Sequence, residues 1–143
     1  MTCCIANDFR IFAHGDDFDV DLYLTTSTLH PDQVWRRRHL GLTSGVVFTL
    51  GDGLSLLFDD QEKIAIAYLK AHRDELRALA KFKGTETFIL GFQYVCKLAE
   101  PHVGFCLSPS SELMWHALDT GIRPVFYVTL DRLQEDSPAN PEL

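Results

Sequence analysis

The chain has 143 residues, of which 46% are hydrophobic and 23% are charged. These ordinary globular values exclude wholesale disorder, and the length predicts a single domain whose core needs no metal or disulfide staple. The formal net charge of -7 disfavours nucleic acid as a partner, because an acidic surface repels phosphate backbones, and is compatible with a basic protein partner.

The sequence predicts a cytoplasmic protein that makes no membrane contact. No apolar run reaches the roughly 18–20 residues needed to cross a bilayer, and residues 1–8 lack a basic region followed by an apolar one. The cysteines are therefore expected to be reduced. We expect Cys3 and Cys4 to be exposed near the chain end, and Cys96 to be a small core residue on the apolar face of a strand.

The N-terminal third predicts a strand, a short helix and a loop. Residues 9–13 alternate as a strand does, and Asp16 and Asp17 offer a cap for a helix over 17–27. Turn chemistry at 30–32 leads into residues 34–40, which we expect to be a loop or a frayed strand.

The middle of the chain predicts a hairpin followed by a long helix. Residues 46–50 and 54–58 are strand-like runs joined by a loop with two glycines. Residues 61–82 repeat apolar side chains at helical spacing, Asp59 and Glu62 have the spacing of a capping box, and Gly84 is placed to stop the helix.

Residues 86–98 form the most regular pattern in the chain. Alternate positions place six side chains on one face of an extended strand, namely Phe88, Leu90, Phe92, Tyr94, Cys96 and Leu98. A strand with one strongly apolar face must be covered, and the helices before and after it in the sequence are the expected cover.

The C-terminal part predicts a helix and a last strand. Ser108 and Pro109 suit the cap and first position of a helix that Gly121 closes. Leu113, His116 and Ala117 are expected to line its buried face, with Leu118 as a further candidate. Residues 122–130 predict a strand whose Pro124 requires an edge or a bulge. We expect residues 1–133 to form the domain and residues 134–143 a disordered tail.

These elements run in the order β-α-β-β-α-β-α-β. The order predicts an α+β fold with a mixed or antiparallel sheet and with helices packed mainly on one face, ferredoxin-like in general character.

The sequence offers no catalytic, metal or cofactor site that survives comparison with the known motifs. The acidic run Asp17, Asp19, Asp21 lacks the glycine and glutamate of a calcium loop, and suits a helix N-terminus instead. Glu112 and His116 lie four residues apart, which fits an ordinary polar pair better than a metal site. We therefore predict no catalytic residues, no metal and no cofactor.

The cluster Trp35, Arg36, Arg37, Arg38 and His39 is the candidate binding site, because it is locally basic in an acidic chain. Tryptophan and arginine are typical of interface anchors and anion sites. One hypothesis is a non-enzymatic interaction module, in one version an immunity-type protein that neutralises a basic toxin. The alternative is an anion- or small-molecule-binding protein or enzyme that uses Arg36–Arg38 with His39 or His102. Homodimerisation through an exposed strand is compatible with both.

Several segments together resemble the small bacterial domain-of-unknown-function family four-two-seven-nine over roughly residues 9–130. They are the strand from Phe9, the acidic Gly-Asp-Asp-Phe-Asp at 15–19, the mid-chain helix, Gly-Phe-Cys-Leu-Ser-Pro at 104–109, and Leu-Asp-Thr-Gly-Ile at 118–122. The chain departs from the family at 35–42, where the family has a Lys-Gly or Arg-Gly pair and this chain has an arginine triplet before His-Leu-Gly. The resemblance implies a small bacterial α+β domain and assigns no reaction.

Overall fold

The structure, a computed structural model, describes residues 3–37, 43–51, 58–98 and 108–132, with the backbone alone at 3–8, 94–98 and 129–132. The described elements are, in order, β1 (Cys3–Gly15), α1 (Val20–Thr26), β2 (Gln33–Trp35), β3 (Ser44–Thr49), α2 (Phe58–Ala71), α3 (Arg73–Lys81), β4 (Thr87–Leu98), α4 (Ser111–Thr120) and β5 (Arg123–Arg132).

The described strands form one sheet in the order β2-β3-β1-β4-β5. β1 lies at the centre and pairs antiparallel with both β3 and β4, while β5 runs parallel to β4. A parallel pair requires a crossover connection, and α4 lies in the connection between the two strands. The mixed sheet confirms the predicted α+β fold.

The described helices pack on a single face of the sheet. Alternate residues of β1, such as Phe9 and Ile11, are buried in one hydrophobic cluster together with Val20 of α1, Leu69 of α2, Leu76 of α3 and Leu113 of α4. The intervening side chains of β1, such as Phe12, belong to the opposite face. The prediction that helices pack mainly on one face is confirmed.

The strand predicted at 86–98 is observed as β4, and the three side chains of its apolar face that the structure describes are buried as expected, whereas those of Tyr94, Cys96 and Leu98 lie outside the described part. Leu90 and Phe92 are fully buried and Phe88 is 8% exposed. Phe92 stacks between Phe9 of β1 and Phe126 of β5, with a centroid distance of 5.0 Å to each ring. Phe58, the first residue of α2, meets it edge-on at 5.6 Å.

The prediction of one long helix over 61–82 is wrong. The helix is interrupted at His72, whose backbone leaves the helical conformation (φ -115°, ψ 27°), and it starts earlier, at Phe58, a residue predicted to end a strand. Apolar residues keep their helical spacing through the break, so the pattern could not show it. The predicted capping box at Asp59 is also wrong, because Glu62 Oε2 instead accepts a hydrogen bond from the backbone N–H of Ser110 at 2.9 Å.

Two helix starts fall later than predicted. α1 is capped by Asp19, which accepts a hydrogen bond from the backbone N–H of Leu22 at 3.0 Å. α4 is capped by Ser110 rather than by Ser108. In both cases neighbouring residues offer the same capping chemistry, so the sequence locates the helix start to within a few residues. Gly121 ends α4 in the left-handed conformation (φ 80°), as predicted.

Two strands differ from the prediction. β1 extends beyond residues 9–13 in both directions, so the backbones of Cys3 and Cys4 are paired with β4, and Cys4 lies opposite Cys96. β2 is a short strand where a loop or frayed strand was predicted. The hairpin loop and most of its second strand, at 52–57, and the predicted tail at 134–143 lie outside the described residues.

The helices in the described ranges are all too short or too polar to cross a bilayer.

Replacing Phe92 by alanine should lower the free energy of unfolding by about 3–5 kcal/mol, because it empties a fully buried position that contacts three other rings. The matched control is Tyr127→Ala in β5, a side chain that is 48% exposed and should cost less than about 1 kcal/mol. Urea denaturation of both variants measures the difference. Equal losses would contradict the assignment of Phe92 to the core.

Candidate interaction surfaces

The structure divides the predicted binding cluster between two sides of the sheet. Trp35 pairs in register with Gly45, and its ring lies 5.8 Å from that of His14 on the helix-free face. A Cβ at Gly45 would collide with the indole, so the glycine makes room for it. The indole N–H donates to Thr43 Oγ1 at 3.4 Å. Trp35 is therefore half-buried against the sheet.

Arg36 belongs to the opposite side. Its guanidinium donates to Asp21 Oδ1 of α1 at 2.7 Å, and both side chains are largely exposed. The hydrogen bond and charge of Arg36 lower the pKa of Asp21, and those of Asp21 raise the pKa of Arg36. The cation is thus already neutralised by a carboxylate, which weakens the case for an anion site here.

The remaining members of the cluster contribute less to a common site. Arg37 is exposed, and its backbone N–H donates to Ser44 Oγ at 2.8 Å. Arg38 and His39 lie outside the described residues, as does His102. Among the described residues, no group of three or more His, Cys, Asp or Glu side chains is arranged to hold a metal ion.

The edge of the molecule formed by α1 and β2 combines acidic and apolar side chains. We call it the α1–β2 surface and define it by Asp16, Asp17, Asp19, Asp21, Leu22, Leu24, Val34 and Arg36. Leu22 is 46% exposed, Leu24 37% and Val34 36%. The bond between Asp21 and Arg36 joins α1 to the end of β2.

Two of the four carboxylates of this surface have a hydrogen-bond or ion-pair partner among the described residues. Asp21 is paired with Arg36 and Asp19 caps α1. Asp16 and Asp17 are exposed, and neither forms an ion pair within the described part of the chain. Within the set that defines this surface, four carboxylates are therefore accompanied by one cation, Arg36.

A second surface lies at the other edge of the sheet. We call it the α4–β5 surface and define it by Met114, Trp115, Leu118 and Val128, which are 45%, 58%, 81% and 39% exposed. A cavity of about 360 Å³ opens beside Met114 and Leu118 and is also lined by Pro124. Tryptophan and methionine are enriched in protein interfaces, so this exposed apolar group is a candidate contact site.

The prediction of Leu118 as a further candidate for the buried face of α4 is wrong, because its side chain is 81% exposed. The buried stripe runs through Leu113, Ala117 and Thr120, whereas Met114 and Leu118 form a second stripe at the same spacing of four. One apolar stripe is enough to pack a helix against the core, so the second apolar stripe of α4 is not needed for the packing of the helix. That surplus is the signal in the sequence that could have revealed this surface.

Ionic contacts fix α4 on the neighbouring helices. Arg73 Nε donates to Asp119 Oδ2 at 2.6 Å, and Arg77 donates both to Asp119 Oδ1 and to its backbone oxygen. Lys70 of α2 pairs with Glu112 at 3.1 Å. Asp119 is 14% exposed, so its bidentate partners hold the helix firmly from one side and leave its apolar side outward.

Comparisons with protein-family models, with curated proteins and with solved structures found no match for this chain. Its function must therefore be argued from these surfaces.

Replacing Asp119 by asparagine should lower stability at neutral pH and have progressively less effect as the solution is acidified. The hydrogen bond from Arg73, with that from Arg77, lowers the pKa of Asp119. A lowered pKa contributes stability that is present above the unfolded value of about 3.9 and is lost as the pH falls through the folded value. Urea denaturation between neutral pH and pH ~2.5 measures the difference between wild type and variant.

The matched control is Asp60→Asn, at an exposed acidic position in the first turn of α2. Its difference in free energy of unfolding from wild type should be smaller and should vary less with pH. If the difference in free energy of unfolding between wild type and Asp119→Asn persisted at a pH where the carboxyl group is protonated, the ionic role of Asp119 would be contradicted.

Proposed function

We propose that the chain is a non-enzymatic protein-interaction domain whose α1–β2 surface binds a basic protein. The observation that supports this most strongly is the charge imbalance of that surface, where Asp16 and Asp17 are exposed and form no ion pair with the described residues, while Arg36 offsets Asp21. The net charge of -7 acts in the same direction. Acidic groups around an interface steer a basic partner and accelerate its association.

The apolar side chains of the surface supply the other half of the argument. Leu24 and Val34 are both more than a third exposed, and Leu24 lies one helical turn from the carboxylate of Asp21. An apolar centre with a polar rim is the usual anatomy of a protein interface. The α1–β2 surface is therefore suited to a partner whose basic groups surround an apolar contact.

The specific version of this proposal is an immunity-type protein of the bacterial cytoplasm that neutralises a basic toxin. The resemblance to the family four-two-seven-nine motivates the bacterial assignment, and charge complementarity motivates the basic partner. Inhibition by charge complementarity needs no catalytic residue, which fits the sequence prediction that the chain has none.

The alternative function, an anion- or small-molecule-binding protein or enzyme near Arg36–His39, has weaker support. Arg36 already donates to Asp21, so an anion would have to compete with a carboxylate. Saturable binding of inorganic phosphate that disappears in Arg36→Ala would favour this alternative over the one we propose.

Replacing Asp16 and Asp17 together by asparagine should weaken binding to a basic partner about two- to thirtyfold at low salt, mainly through a slower association rate. The candidates for titration are the basic proteins encoded beside this gene. Surface plasmon resonance at two salt concentrations measures both rates. The matched control is the double variant Asp59→Asn with Asp60→Asn, which removes the same charge from the first turn of α2. This turn lies away from the α1–β2 surface, because Phe58, the first residue of α2, packs on Phe92.

Arg36→Ala provides a test of opposite sign, because it frees Asp21 and should strengthen the same association. No salt-dependent binding to any basic candidate, or equal effects of the two double variants, would refute the proposed function.

A second copy of the chain is the partner that we propose for the α4–β5 surface. β5 is the outermost of the described strands, so one side of its ten-residue backbone has no partner strand in the described sheet. Strand edges pair readily with other edges. Two identical edges related by a twofold axis pair antiparallel and close on themselves, and this would bring the two copies of Trp115 and Leu118 towards the same interface.

Leu118→Glu should shift the chain, which has a mass of 16.2 kDa, from dimer to monomer, because it places a charge in the proposed interface. Light scattering after size exclusion, from micromolar to millimolar concentration, gives the mass. Leu22→Glu on α1 is the control and should leave the mass unchanged. A wild-type chain that is monomeric throughout this range would refute the dimer.

A further inference from the structure

A buried tyrosine hydroxyl between α1 and α3 lacks a partner. Tyr23 is 3% exposed, and its Oη has no hydrogen-bond partner among the described residues. Ser27 is the nearby hydroxyl, but its Oγ is already bound to the backbone of Leu29, donating to the carbonyl at 3.2 Å and accepting from the N–H at 3.1 Å. Buried polar groups are almost always paired, so this phenol is available to a partner other than the described residues.

The hydroxyl borders a cleft that is large enough for such a partner. Tyr23 and Ser27 line one side of it, and Glu75, Leu79 and Phe82 line the other, around a volume of about 160 Å³. A cavity of roughly 150 Å³ holds a molecule the size of benzene. The cleft therefore accommodates a short side chain or a small organic ligand.

The chemistry of the lining selects the charge of the ligand. Glu75 supplies an acidic side chain to the lining, and a carboxylate repels anions. The rings of Tyr23 and Phe82 lie edge to face, with centroids 5.5 Å apart. Aromatic rings combined with a carboxylate form the usual environment for an organic cation.

Burial raises the pKa of Tyr23, the nearby hydroxyl of Ser27 offsets part of this rise, and Glu75 adds to it. Burial likewise raises the pKa of Tyr68 to about 12, with further contributions from Tyr23, Asp32 and Glu75. The Tyr23 phenol is therefore neutral at physiological pH, and its oxygen can accept a hydrogen bond from a cation.

We infer that this cleft binds the cationic end of an alkylammonium or alkylguanidinium group. The cation contacts the carboxylate of Glu75, the hydroxyl oxygen of Tyr23 accepts one of its N–H groups, and the aliphatic stem packs against Leu79. Lysine and arginine side chains carry these groups, and α1 contributes to both the cleft and the α1–β2 surface. The identification of the ligand with a side chain of the basic partner rests on the proposed function, whereas the site itself does not.

The test is a titration of the full chain with n-butylammonium and with methylguanidinium, in which the amide chemical shifts of the protein report binding. Butanol and butyrate are the neutral and anionic controls of similar shape. We expect saturable binding of both cations with dissociation constants of about 1–10 mM, shifts centred on residues 23–28 and 75–82, and at least tenfold weaker binding of the controls.

Variants separate the groups of the site. Glu75→Gln should reduce cation affinity about tenfold, while Asp74→Asn, at the neighbouring exposed position, should change it less than twofold. Tyr23→Phe should weaken binding about two- to fivefold without lowering the melting temperature, because it removes a hydroxyl that has no partner in the free chain. Cation binding that equals that of butanol, shifts centred elsewhere, or equal effects of Glu75→Gln and Asp74→Asn would overturn the inference.

The titration does not require the protein partner, so its result is independent of the proposed function. Cations that bind in the cleft while no basic protein binds would leave the site standing and refute the proposed function. Salt-dependent binding of a basic protein with no binding of either small cation would do the reverse.

Discussion

The position of Phe92 between Phe9 and Phe126 is the constraint on which the remaining structure depends. β4 is the strand that joins the antiparallel part of the sheet to its parallel part, and this stacked column sets the register of both pairings at once. A slip of one residue would turn Phe92 to the helix-free face. Phe58 contacts the same ring, so the start of α2 depends on it too. With the sheet fixed in this way, β2 and β5 occupy opposite edges, and each edge presents its own surface.

The sequence predicted those helices and strands whose apolar side chains repeat regularly over many consecutive residues. Strict alternation located β4 to within a residue, because a strand buried on one face leaves little freedom in its side chains. It could not reveal the break at His72, since apolar spacing continues through it. β2 has three residues, too few for an alternation of apolar and polar side chains to be recognised. At the starts of α1 and α4 several adjacent residues can cap equally well, and the structure selects Asp19 and Ser110 through packing that lies elsewhere in the chain.

The candidate sites were less predictable, because they depend on contacts between distant segments. Trp35 and Arg36 are neighbours in sequence at the end of β2, yet they lie on opposite sides, where one contacts His14 and the other Asp21. The cleft beside Tyr23 exists only because α1 packs next to α3. Sequence composition did anticipate an acidic chain with a locally basic segment, but it could not show that the segment is partly neutralised within the chain.

The pairing of β1 with β4 has a consequence for how the protein is made. β1 is translated before the other described strands and becomes the centre of the sheet, but its residue His14 pairs with Thr87 and its residue Cys3 with Lys97. Contacts this distant in sequence form slowly. One edge of β1 therefore stays unpaired until β4 has been translated, and during that interval this edge is open to pairing with other chains.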